Sequence, residues 1–490
     1  MELKQLFEAY AIIALAAIIA GVYTVYQFFF SPLARIPGPF IAKISPTYYT
    51  FIAKRGRIHR DLANLHRKYG KAVRIAPNVL SVIDPTAFRE IYKAGNRFWK
   101  AESYSVLQGS RPFDLAGQRN EKIHSEQRKL VARAYSMDSI TYLEPQVNSV
   151  LVSLVNRLRG IRAQPIDLGY WIQLFAFDTI GAISFSKPFG YVESGDDERI
   201  FLRLRKAFRC IGWIKHSSTL FKVHQRLMPY IGNWLASNDR NTYFFELASK
   251  EIQARTNRDG DFKDIVSQLF SVQKAKPEFN DTNLAFMMTT NVFAGSDTTS
   301  TSLRAIFYLL LKYPEKYNRL MEELESKRQA GELSNPVTFN EAEAWPYLQA
   351  IMYEATRLYP AVCDLLDRDV PEGGMTIDRY YVPGGVVVGT SAWVIHRAQE
   401  IWGPDAEEFR PERWLEKENE GTMKRFFFSF GGGSRTCIGR HISWLEIGKL
   451  VPTLLMCFDM RLANGAELKE EHGTLLFLDG LEVYMTPREV

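Results

Sequence analysis

The sequence predicts a mainly α-helical α+β protein, in which a helix-rich body with a minor β-sheet follows a single N-terminal transmembrane helix. Helical patterning dominates the long stretch from Glu121 to Leu320, whereas strand patterns are short and lie outside it. Near the N-terminus, Ala9–Phe30 forms a run of 22 residues without a charge. No internal repeat or low-complexity segment divides the remainder, so we expect one folded body after this run.

The apolar run Ala9–Phe30 is long enough to cross a membrane. At about 1.5 Å per residue it spans roughly 33 Å, against about 30 Å for the hydrocarbon core of a bilayer. A cleaved signal peptide is the alternative, but its apolar region is typically about 7–15 residues long. Basic residues are denser after the run than before it, which places the C-terminal part in the cytosol. We therefore expect a lumenal segment at 1–8, an anchor at 9–30, a proline-rich hinge at 31–40 and one domain over 41–490.

Further elements are expected in chain order. Pro37 and Pro39 stiffen the hinge, because proline fixes φ and cannot continue a helix. Alternating apolar residues in Ala72–Ile83, interrupted by a proline, predict a short pair of strands. The longest helix is predicted over Asp281–Tyr313, with Asn280 or Asp281 as its N-cap and a proline closing it. The same signals predict a helix over Pro346–Tyr359 and strands at Tyr380–Val382 and Val386–Val388.

Composition excludes several classes of protein. Hydrophobic residues make up 46% and charged residues 24%, which is typical of a globular chain. The formal net charge is only +6 and the basic residues are scattered, so nucleic acid is not an expected partner. The 4 cysteines include no CxxC pair, which excludes a disulfide framework and a zinc-ribbon site.

The segment Phe428–Gly439, FSFGGGSRTCIG, carries the strongest chemical signal. Cys437 lies in a glycine-rich turn, and glycine lets backbone approach a flat macrocycle without a Cβ in the way. Amide donors and a helix that starts near Ile438 favour the thiolate, and Arg435 offers a planar guanidinium to a carboxylate. The pattern indicates a thiolate ligand of haem iron. A P-loop is excluded because its lysine is missing, and a buried structural cysteine is the alternative.

A second signal, AGSDTT at Ala294–Thr299, lies midway along the longest predicted helix. Glycine costs about 1 kcal/mol there relative to alanine, and hydroxyl side chains compete for backbone carbonyls. We expect a local distortion that makes room for a small ligand such as O₂, with Asp297 and Thr298 as the acid and hydroxyl of a proton relay. A packing notch between helices with a solvated aspartate is the alternative.

Three patterns say little in isolation. Glu354 and Arg357 are three apart on a helix, where such pairs are usually solvated. His124 and Arg128 are four apart and can hold a carboxylate together, although an exposed polar face is the alternative. The segment Pro411–Trp414, PERW, has no interpretation of its own.

In this order and combination, the motifs resemble those of cytochrome P450 enzymes, haem-thiolate monooxygenases, over essentially the whole chain after the anchor. FSFGGGSRTCIG matches the family pattern FxxGxRxCxG, and AGSDTT matches its oxygen-activation helix. Glu354 and Arg357 match the ExxR pair, and PERW matches the PERF-like segment. The resemblance implies the cytochrome P450 fold and makes 41–490 the haem-thiolate catalytic domain.

The resemblance also implies a role for each matched residue. It makes Cys437 the axial ligand of haem b, and Asp297 and Thr298 the catalytic relay. Arg413 joins Glu354 and Arg357 in a buried cluster that stabilises the haem-binding core. His124 stands where the family more often has tryptophan, and histidine can still donate to a propionate. The expected haem-binding residues besides the cysteine are His124, Arg128, Arg368, Phe430, Gly433, Arg435 and Gly439.

By the same resemblance, the enzyme inserts one oxygen atom of O₂ into a lipophilic small molecule in the endoplasmic reticulum membrane, with its catalytic domain in the cytosol. Electrons come from NADPH through cytochrome P450 reductase. The motifs are similar to fungal enzymes of specialised metabolism of the pisatin-demethylase-like sort. A basic face speeds encounter with an acidic partner, and the candidate docking cations are Lys122, Lys129, Arg133 and Arg440.

Substrate contacts are expected from the segments Ala101–Gly117, Phe208–Ile231, Met287–Asn291, Ala361–Leu366 and Thr474–Phe477. Phe208–Ile231 either rests on the bilayer or packs on the body. Two other functions are weighed: a haem-thiolate isomerase or dehydratase without external electrons, and a membrane-tethered haem sensor. The intact Asp297–Thr298 pair argues against the first, and the oxygen-activation motif would serve no purpose in the second. The remaining thiols, which match no motif, are Cys210, Cys363 and Cys457.

Overall fold

The structure is a computed structural model that describes residues 2–161 and 164–489. Its body is dominated by helices and contains small sheets, which confirms the predicted fold class. The helices of the first half are α1 (Glu2–Val25), α2 (Phe40–Ile44), α3 (Thr47–Lys54), α4 (Ile58–Tyr69), α5 (Pro85–Tyr92), α6 (Tyr104–Gln108), α7 (Glu121–Val131), α8 (Met137–Thr141), α9 (Glu144–Arg159), α10 (Leu168–Phe185), α11 (Tyr191–Ser194), α12 (Ile200–Ile214), α13 (Ser218–Ile231) and α14 (Tyr243–Thr256). Those of the second half are α15 (Ile265–Ala275), α16 (Asp281–Lys312), α17 (Pro314–Gln329), α18 (Phe339–Glu343), α19 (Pro346–Leu358), α20 (Ala392–Ile395), α21 (Gln399–Trp402), α22 (Glu420–Phe426) and α23 (Arg440–Cys457).

The strands form small sheets at the periphery of the helical body. A four-stranded sheet has the order β1-β2-β7-β4, in which only β2 and β7 run parallel. A three-stranded sheet has the order β3-β11-β8, and β9-β10 and β5-β6 are hairpins. The strands are β1 (Ala72–Ala76), β2 (Val79–Val82), β3 (Ile166–Asp167), β4 (Arg368–Asp369), β5 (Met375–Ile377), β6 (Tyr380–Val382), β7 (Val387–Gly389), β8 (Phe458–Leu462), β9 (Lys469–His472), β10 (Leu476–Asp479) and β11 (Glu482–Pro487).

The predicted elements in the body are confirmed. The strand pair expected in 72–83 is β1–β2, and the longest helix is α16. The side chain of Asn280 accepts a hydrogen bond from the N–H of Asn283 and so caps α16. The helix ends at Lys312, and Pro314 opens α17, where its missing N–H is not needed. Local capping and proline signals therefore set these boundaries.

The N-terminal helix is longer than the apolar run. Helix α1 begins at Glu2, because polar flanking residues can extend a helix beyond its apolar part. It leads directly into a π-helical turn, Tyr26–Phe30. The part Lys4–Phe30 has a mean hydropathy of 2.0 and no buried residues in its most apolar stretch. The apolar helix α10 is also long enough to span a membrane, but 83% of its residues are buried in the body.

The hinge at 31–40 packs against the body. Leu33 and Ile36 are buried in a core cluster, and the N–H of Arg74 in β1 donates to the carbonyl of Pro37 at 2.8 Å. The Arg74 guanidinium also bonds the side-chain amide and the carbonyl of Gln27, near the end of the apolar helix. The turn that follows the N-terminal apolar helix is thus fixed to β1 by a buried arginine.

The main core surrounds α16. This helix packs against α10, α14, α19 and α23, and most of its side chains are buried. Thr299 of α16 donates to Ser443 of α23 at 3.3 Å, which links the longest helix to the helix that begins just after Cys437. The motif of α16 and the cysteine loop that leads into α23 therefore belong to neighbouring parts of the core.

Candidate active site

Cys437 lies in a tight loop between a short 3₁₀ turn, Gly433–Arg435, and the first residue of α23. Its N–H donates to the carbonyl of Phe430 at 2.8 Å, which closes the loop. Of the 4 cysteines, Cys437 is exposed and the other three are buried. The thiol that the sequence selects as the iron ligand is thus the one that the fold leaves accessible.

The Cys437 thiol is accessible, yet protein surrounds it closely. Desolvation raises the pKa of the Cys437 thiol, whereas the N–H of Gly439 and the cations Arg128 and Arg440 lower it. A bound metal cation would act in the same direction as these groups. The loop and its neighbours therefore supply some of the hydrogen bonding and positive charge that stabilise a thiolate. A bound metal cation would supply further positive charge.

The two matched glycines of the loop differ in what requires them. Gly433 has a φ of +60°, and a Cβ there would clash with the carbonyl of Tyr92. Gly433 is therefore required by the close approach of the Tyr92 backbone. The sequence pattern instead suggests a flat macrocycle as the group that approaches this glycine. A Cβ at Gly439 would meet the Cys437 sulfur at 3.9 Å, an ordinary contact. No contact among the described residues therefore requires a glycine at position 439.

Basic side chains converge beside the cysteine loop, around His124 on α7. Desolvation is the largest cause that brings the pKa of His124 down to about 3, so its ring is neutral. Nearby positive charge lowers that pKa further, and the cations responsible are Arg435, Lys100, Arg128 and Arg368. The predicted haem-binding residues of α7, β4 and the cysteine loop are thus brought together.

These basic residues are already partly engaged with protein groups. Arg128 donates to a carbonyl of the Cys437 loop at 2.8 Å and so joins α7 to it. Arg435 forms an ion pair with Glu121 at 2.7 Å, which the sequence did not indicate. Arg368 donates to carbonyls of its own segment. Arg128 and Arg368 therefore remain without a carboxylate partner among the described residues.

Lys100 is a further member of this cluster that the sequence motifs did not identify. It is buried, and its Nζ donates to the carbonyl of Ala116 at 2.6 Å. Burial, reinforced by Arg435 and Arg368, holds the pKa of Lys100 well below its usual range. An isolated β-bridge between Lys100 and Arg368 brings it here, and no local pattern in the sequence signals that contact.

The thiol and the basic cluster together fit a haem. Cys437 offers one sulfur ligand, and no group of three or more potential metal-binding side chains occurs among the described residues. The cations around His124 outnumber Glu121, the carboxylate paired with one of them. The two propionates of a haem would supply the missing negative charge.

The exposed face of α16 is a narrow stripe. From Met287 to Leu310, the residues that are not buried are Thr290, Ala294, Gly295 and Thr298. Three of them, Thr290, Ala294 and Thr298, are four residues apart and therefore share one face of the helix. Thr298 is thus positioned to present its side chain to whatever occupies the space beside this face.

The expected distortion of α16 is wrong, because the helix is uninterrupted through Ala294–Thr299. Thr298 Oγ1 donates to the carbonyl of Ala294 at 2.9 Å, so the hydroxyl bonds back to the helix without breaking it. A Cβ at Gly295 would clash with Ile180 of α10, which makes this glycine a packing notch between two helices. The exposed stripe, and not a bulge, is what gives access to this part of α16.

Asp297 is buried and points away from Thr298. Gln173 Nε2 donates to Asp297 Oδ1 at 2.5 Å, and adjacent residues on a helix do not face each other. Burial raises the pKa of Asp297 to about 6, against the opposing effects of Arg304, Arg205 and the Gln173 hydrogen bond. The alternative of a solvated aspartate is therefore wrong, and the acid titrates close to neutral pH.

Glu354, Arg357 and Arg413 form one buried cluster. The Glu354 carboxylate lies 2.8 Å from Arg357 and 2.9 Å from Arg413, and Trp414 Nε1 donates to it at 2.9 Å. Burial alone would raise the pKa of Glu354, but the two cations outweigh it and hold that pKa below its ordinary value. The pair is therefore not the solvated surface pair that its spacing alone suggested.

The candidate docking cations are all exposed. Lys122 and Lys129 lie on α7, Arg133 follows in a 3₁₀ turn, and Arg440 opens α23. Arg128, between the first two on the same helix, bonds the cysteine loop. The basic face thus adjoins the backbone that carries Cys437.

Comparison with known proteins shows the family to which the chain is similar. The family model described as Cytochrome P450 matches residues 41–483. The cytochrome P450 monooxygenase hepC of Aspergillus oryzae is 52% identical over 92% of this chain and 91% of its own length. A cytochrome P450 monooxygenase of Aspergillus terreus is 34% identical over 87% of this chain and 90% of its own length. The cytochrome P450 monooxygenase cicH of Emericella nidulans is 32% identical over 88% and 89%, respectively.

Proposed function

The chain belongs to the cytochrome P450 family of oxidoreductases, and from this membership we propose that it is a membrane-anchored haem-thiolate monooxygenase of fungal secondary metabolism. It inserts one oxygen atom of O₂ into a lipophilic small molecule. Its electrons come from NADPH through cytochrome P450 reductase. The observation that carries the proposal is the accessible Cys437 thiol beside a basic cluster with too few carboxylates.

The haem would be held at both its metal and its periphery. Cys437 would ligate the iron, and Arg128, Arg368, Arg435 and Lys100 would neutralise the propionates, with His124 as a neutral donor. The haem supplies the oxygen-activating chemistry when bound, and a thiolate ligand favours cleavage of the O–O bond. Glu354, Arg357 and Arg413 stabilise the core behind the loop without contacting the reaction.

Asp297 and Thr298 would manage protons beside the exposed stripe of α16. With a pKa of about 6, the Asp297 carboxyl can both hold and release a proton near neutral pH. Because it faces Gln173 and not Thr298, proton movement between the two side chains requires either a water molecule or a rotation of Asp297. The Thr298 hydroxyl donates to the Ala294 carbonyl, so its oxygen can accept a hydrogen bond from a water molecule at the stripe and orient that water.

The anchor would place the body at the endoplasmic reticulum membrane, with the catalytic domain in the cytosol. The apolar helix Lys4–Phe30 has the length and hydropathy for a single span, and basic residues follow it. The exposed cations Lys122, Lys129, Arg133 and Arg440 would then face the acidic surface of the reductase. The domains that we propose are a lumenal segment at 1–8, an anchor at 9–30, a hinge at 31–40 and a catalytic domain at 41–490.

Membranes that contain the full-length protein and a reductase test the proposal. We expect the reduced protein to give the carbon monoxide band of a thiolate-ligated haem, and product formation to require both NADPH and reductase. Metabolite profiling after gene deletion supplies the accumulated precursor as substrate. Turnover without NADPH would instead support a haem-thiolate isomerase or dehydratase. Haem binding with no turnover of that precursor would support a sensor.

A further inference from the structure

We propose that Arg111, together with Arg240, binds a carboxylate of the substrate, so that the substrate is a lipophilic monocarboxylic acid. This inference rests on the proposed monooxygenase function and specifies its substrate class. Both arginines and Asp114 are buried, at 1%, 4% and 1% exposure. Two guanidinium groups and only one carboxylate are therefore buried together in this cluster.

The single carboxylate is fully used by Arg240. Arg240 donates to both oxygens of Asp114 at 2.9 Å, a bidentate pair. Arg111 instead bonds neutral acceptors, with its Nε 2.6 Å from Asn241 Oδ1 and another nitrogen 2.7 Å from the Arg240 carbonyl. The neighbouring acid Asp239 is held by Asn233 at 2.7 Å and lies 3.9 Å from Arg203. One positive charge is therefore left over around Arg111.

An unbalanced buried charge is costly, so it indicates a missing partner. Hydrogen bonds to neutral oxygens satisfy donors but do not neutralise charge. In agreement, burial followed by the positive charge of Arg240 lowers the pKa of Arg111 to about 9. The Nε of Arg240 is also buried without a hydrogen-bond partner among the described residues. The cluster thus offers both an excess charge and a free donor.

The cluster adjoins the face of α16 that the proposed chemistry uses. Arg240 donates to Thr290 Oγ1 at 3.0 Å, and Arg111 lies 3.5 Å from the same oxygen. Thr290 is the first member of the exposed stripe that continues through Ala294 to Thr298. Since each step of four residues advances about 6 Å, Thr290 and Thr298 lie roughly 12 Å apart along the helix. A carboxylate at Arg111 would leave the carbon skeleton to extend toward Thr298.

The surroundings favour a carboxylate over a phosphate. The excess is one positive charge, which matches a monoanion, whereas a phosphate monoester carries close to two negative charges at pH 7. The site is also lined by aromatic rings, with Arg111 5.2 Å from the Phe286 ring and Arg240 5.8 Å from that of Phe293. An apolar skeleton with one ionised carboxyl group fits this combination.

Binding to the purified full-length holoenzyme tests the inference directly. The probes are dodecanoic acid and biphenyl-4-carboxylic acid, each compared with its methyl ester, and binding is followed by calorimetry and by the change in haem absorbance. We expect at least one acid to bind about tenfold or more tightly than its ester. Arg111→Gln should abolish that preference and leave ester affinity unchanged, whereas Arg111→Lys should retain part of it. Arg89→Gln, an exposed arginine on α5, is the control.

A second variant makes the test independent of the chosen skeletons. Asn241→Asp places a carboxylate against Arg111 Nε with almost no change in shape, at a position where Asn238 can turn its amide to donate. We expect a higher Tm for the ligand-free protein and a loss of acid preference. Equal binding of acid and ester, a preference that survives Arg111→Gln, or, where no probe binds, an unchanged or lower Tm in Asn241→Asp would each overturn the inference. Absence of the carbon monoxide band from the reduced wild-type protein would instead count against the proposed function.

Discussion

Gln173 separates Asp297 from the nearest strong cation. Its Nε2 donates to Asp297 Oδ1 at 2.5 Å, and its Oε1 accepts from Arg304 at 2.7 Å. Asp297 is thereby tied to α10 through a neutral amide, and Arg304 acts on it only from a distance. Burial then dominates, which is why the pKa of this carboxyl group rises to about 6 although two arginines lie in its surroundings.

Asp297→Asn should change the dependence of stability on pH. The folded pKa of about 6 lies above the value of about 4 expected for an unfolded aspartate, so folding favours the protonated acid. Wild-type stability contributed by this group is therefore present below pH 4 and lost as pH rises through 6. Asparagine removes that loss, so the Tm of the variant relative to wild type should increase from about pH 4 to about pH 7 and change little at higher pH.

Thermal unfolding of the holoenzyme at several pH values measures this effect. Asp281→Asn, an exposed acid at the start of the same helix, is the matched control and should show no such increase. A constant difference between Asp297→Asn and wild type over this range would mean that Asp297 stays ionised, and the proton-holding role would be withdrawn.

The sequence predicts those parts of the fold and site that depend on local signals. The ends of α16 follow from a capping asparagine and a proline, and Cys437 is identified by residues within its own loop. Lys100 was missed because its significance comes from burial beside residues far away in the chain. Arg111 lies in the expected substrate segment Ala101–Gly117, but its individual role depends on burial beside Arg240, which no local pattern reveals. The role of Gly295 likewise depends on Ile180 of another helix, which no spacing rule within α16 reveals.

Thr298→Ala should uncouple electron consumption from product formation. The side chain lies on the exposed stripe of α16 and is hydrogen-bonded only within its own helix, so the fold and haem content should be retained. Loss of the hydroxyl removes a proton-positioning group, and such assistance is typically worth about 10²–10⁴-fold in rate. Product formed per NADPH consumed should fall and hydrogen peroxide release should rise.

Ser302→Ala serves as the control for Thr298→Ala. Ser302 also bonds back to its helix, at 3.2 Å from the Thr298 carbonyl, but it lies one turn beyond the end of the exposed stripe and is buried. Its removal should leave coupling unchanged. Unaltered coupling in Thr298→Ala would assign the proton relay to another group, with a hydroxyl of the substrate as the next candidate.

Cys437→Ser should abolish the carbon monoxide band of the reduced protein. Cys437 is the accessible thiol, and serine offers no soft sulfur ligand to iron. Cys363→Ser is the control, because Cys363 is buried and donates to the carbonyl of Pro360 at 2.9 Å. Absorbance spectra of both variants decide the assignment: a band that persists in Cys437→Ser and disappears in Cys363→Ser would make it wrong.

Arg413→Leu should strongly destabilise the fold. It leaves Glu354 buried with Arg357 alone, and removing one partner from a buried ion pair costs about 3–5 kcal/mol. Arg410→Leu is the matched control, because Arg410 pairs with Asp405 and Glu416 at the partly exposed surface and such pairs contribute about 0–1 kcal/mol each. Urea unfolding measures both changes, and similar losses in the two variants would contradict a special role for the cluster.

A protein that lacks residues 1–25 should still associate with membranes, but reversibly. The truncation removes most of the apolar span and keeps Gln27, whose carbonyl lies 3.2 Å from the buried Arg74 guanidinium, so the turn after the anchor stays fixed to β1. Exposed apolar side chains remain at Phe51 on α3 and at Leu220, Leu227 and Tyr230 on α13. Because α3 packs against α12, which precedes α13, these groups belong to one region of the surface and can enter the lipid interface together.

Flotation with liposomes should recover the truncated protein at low salt in amounts that fall on dilution, whereas the full-length chain should stay bound. Replacing Leu220 and Leu227 with serine in the truncated protein should lower the recovered fraction further. Complete loss of flotation on truncation alone would show that the anchor is the sole membrane contact.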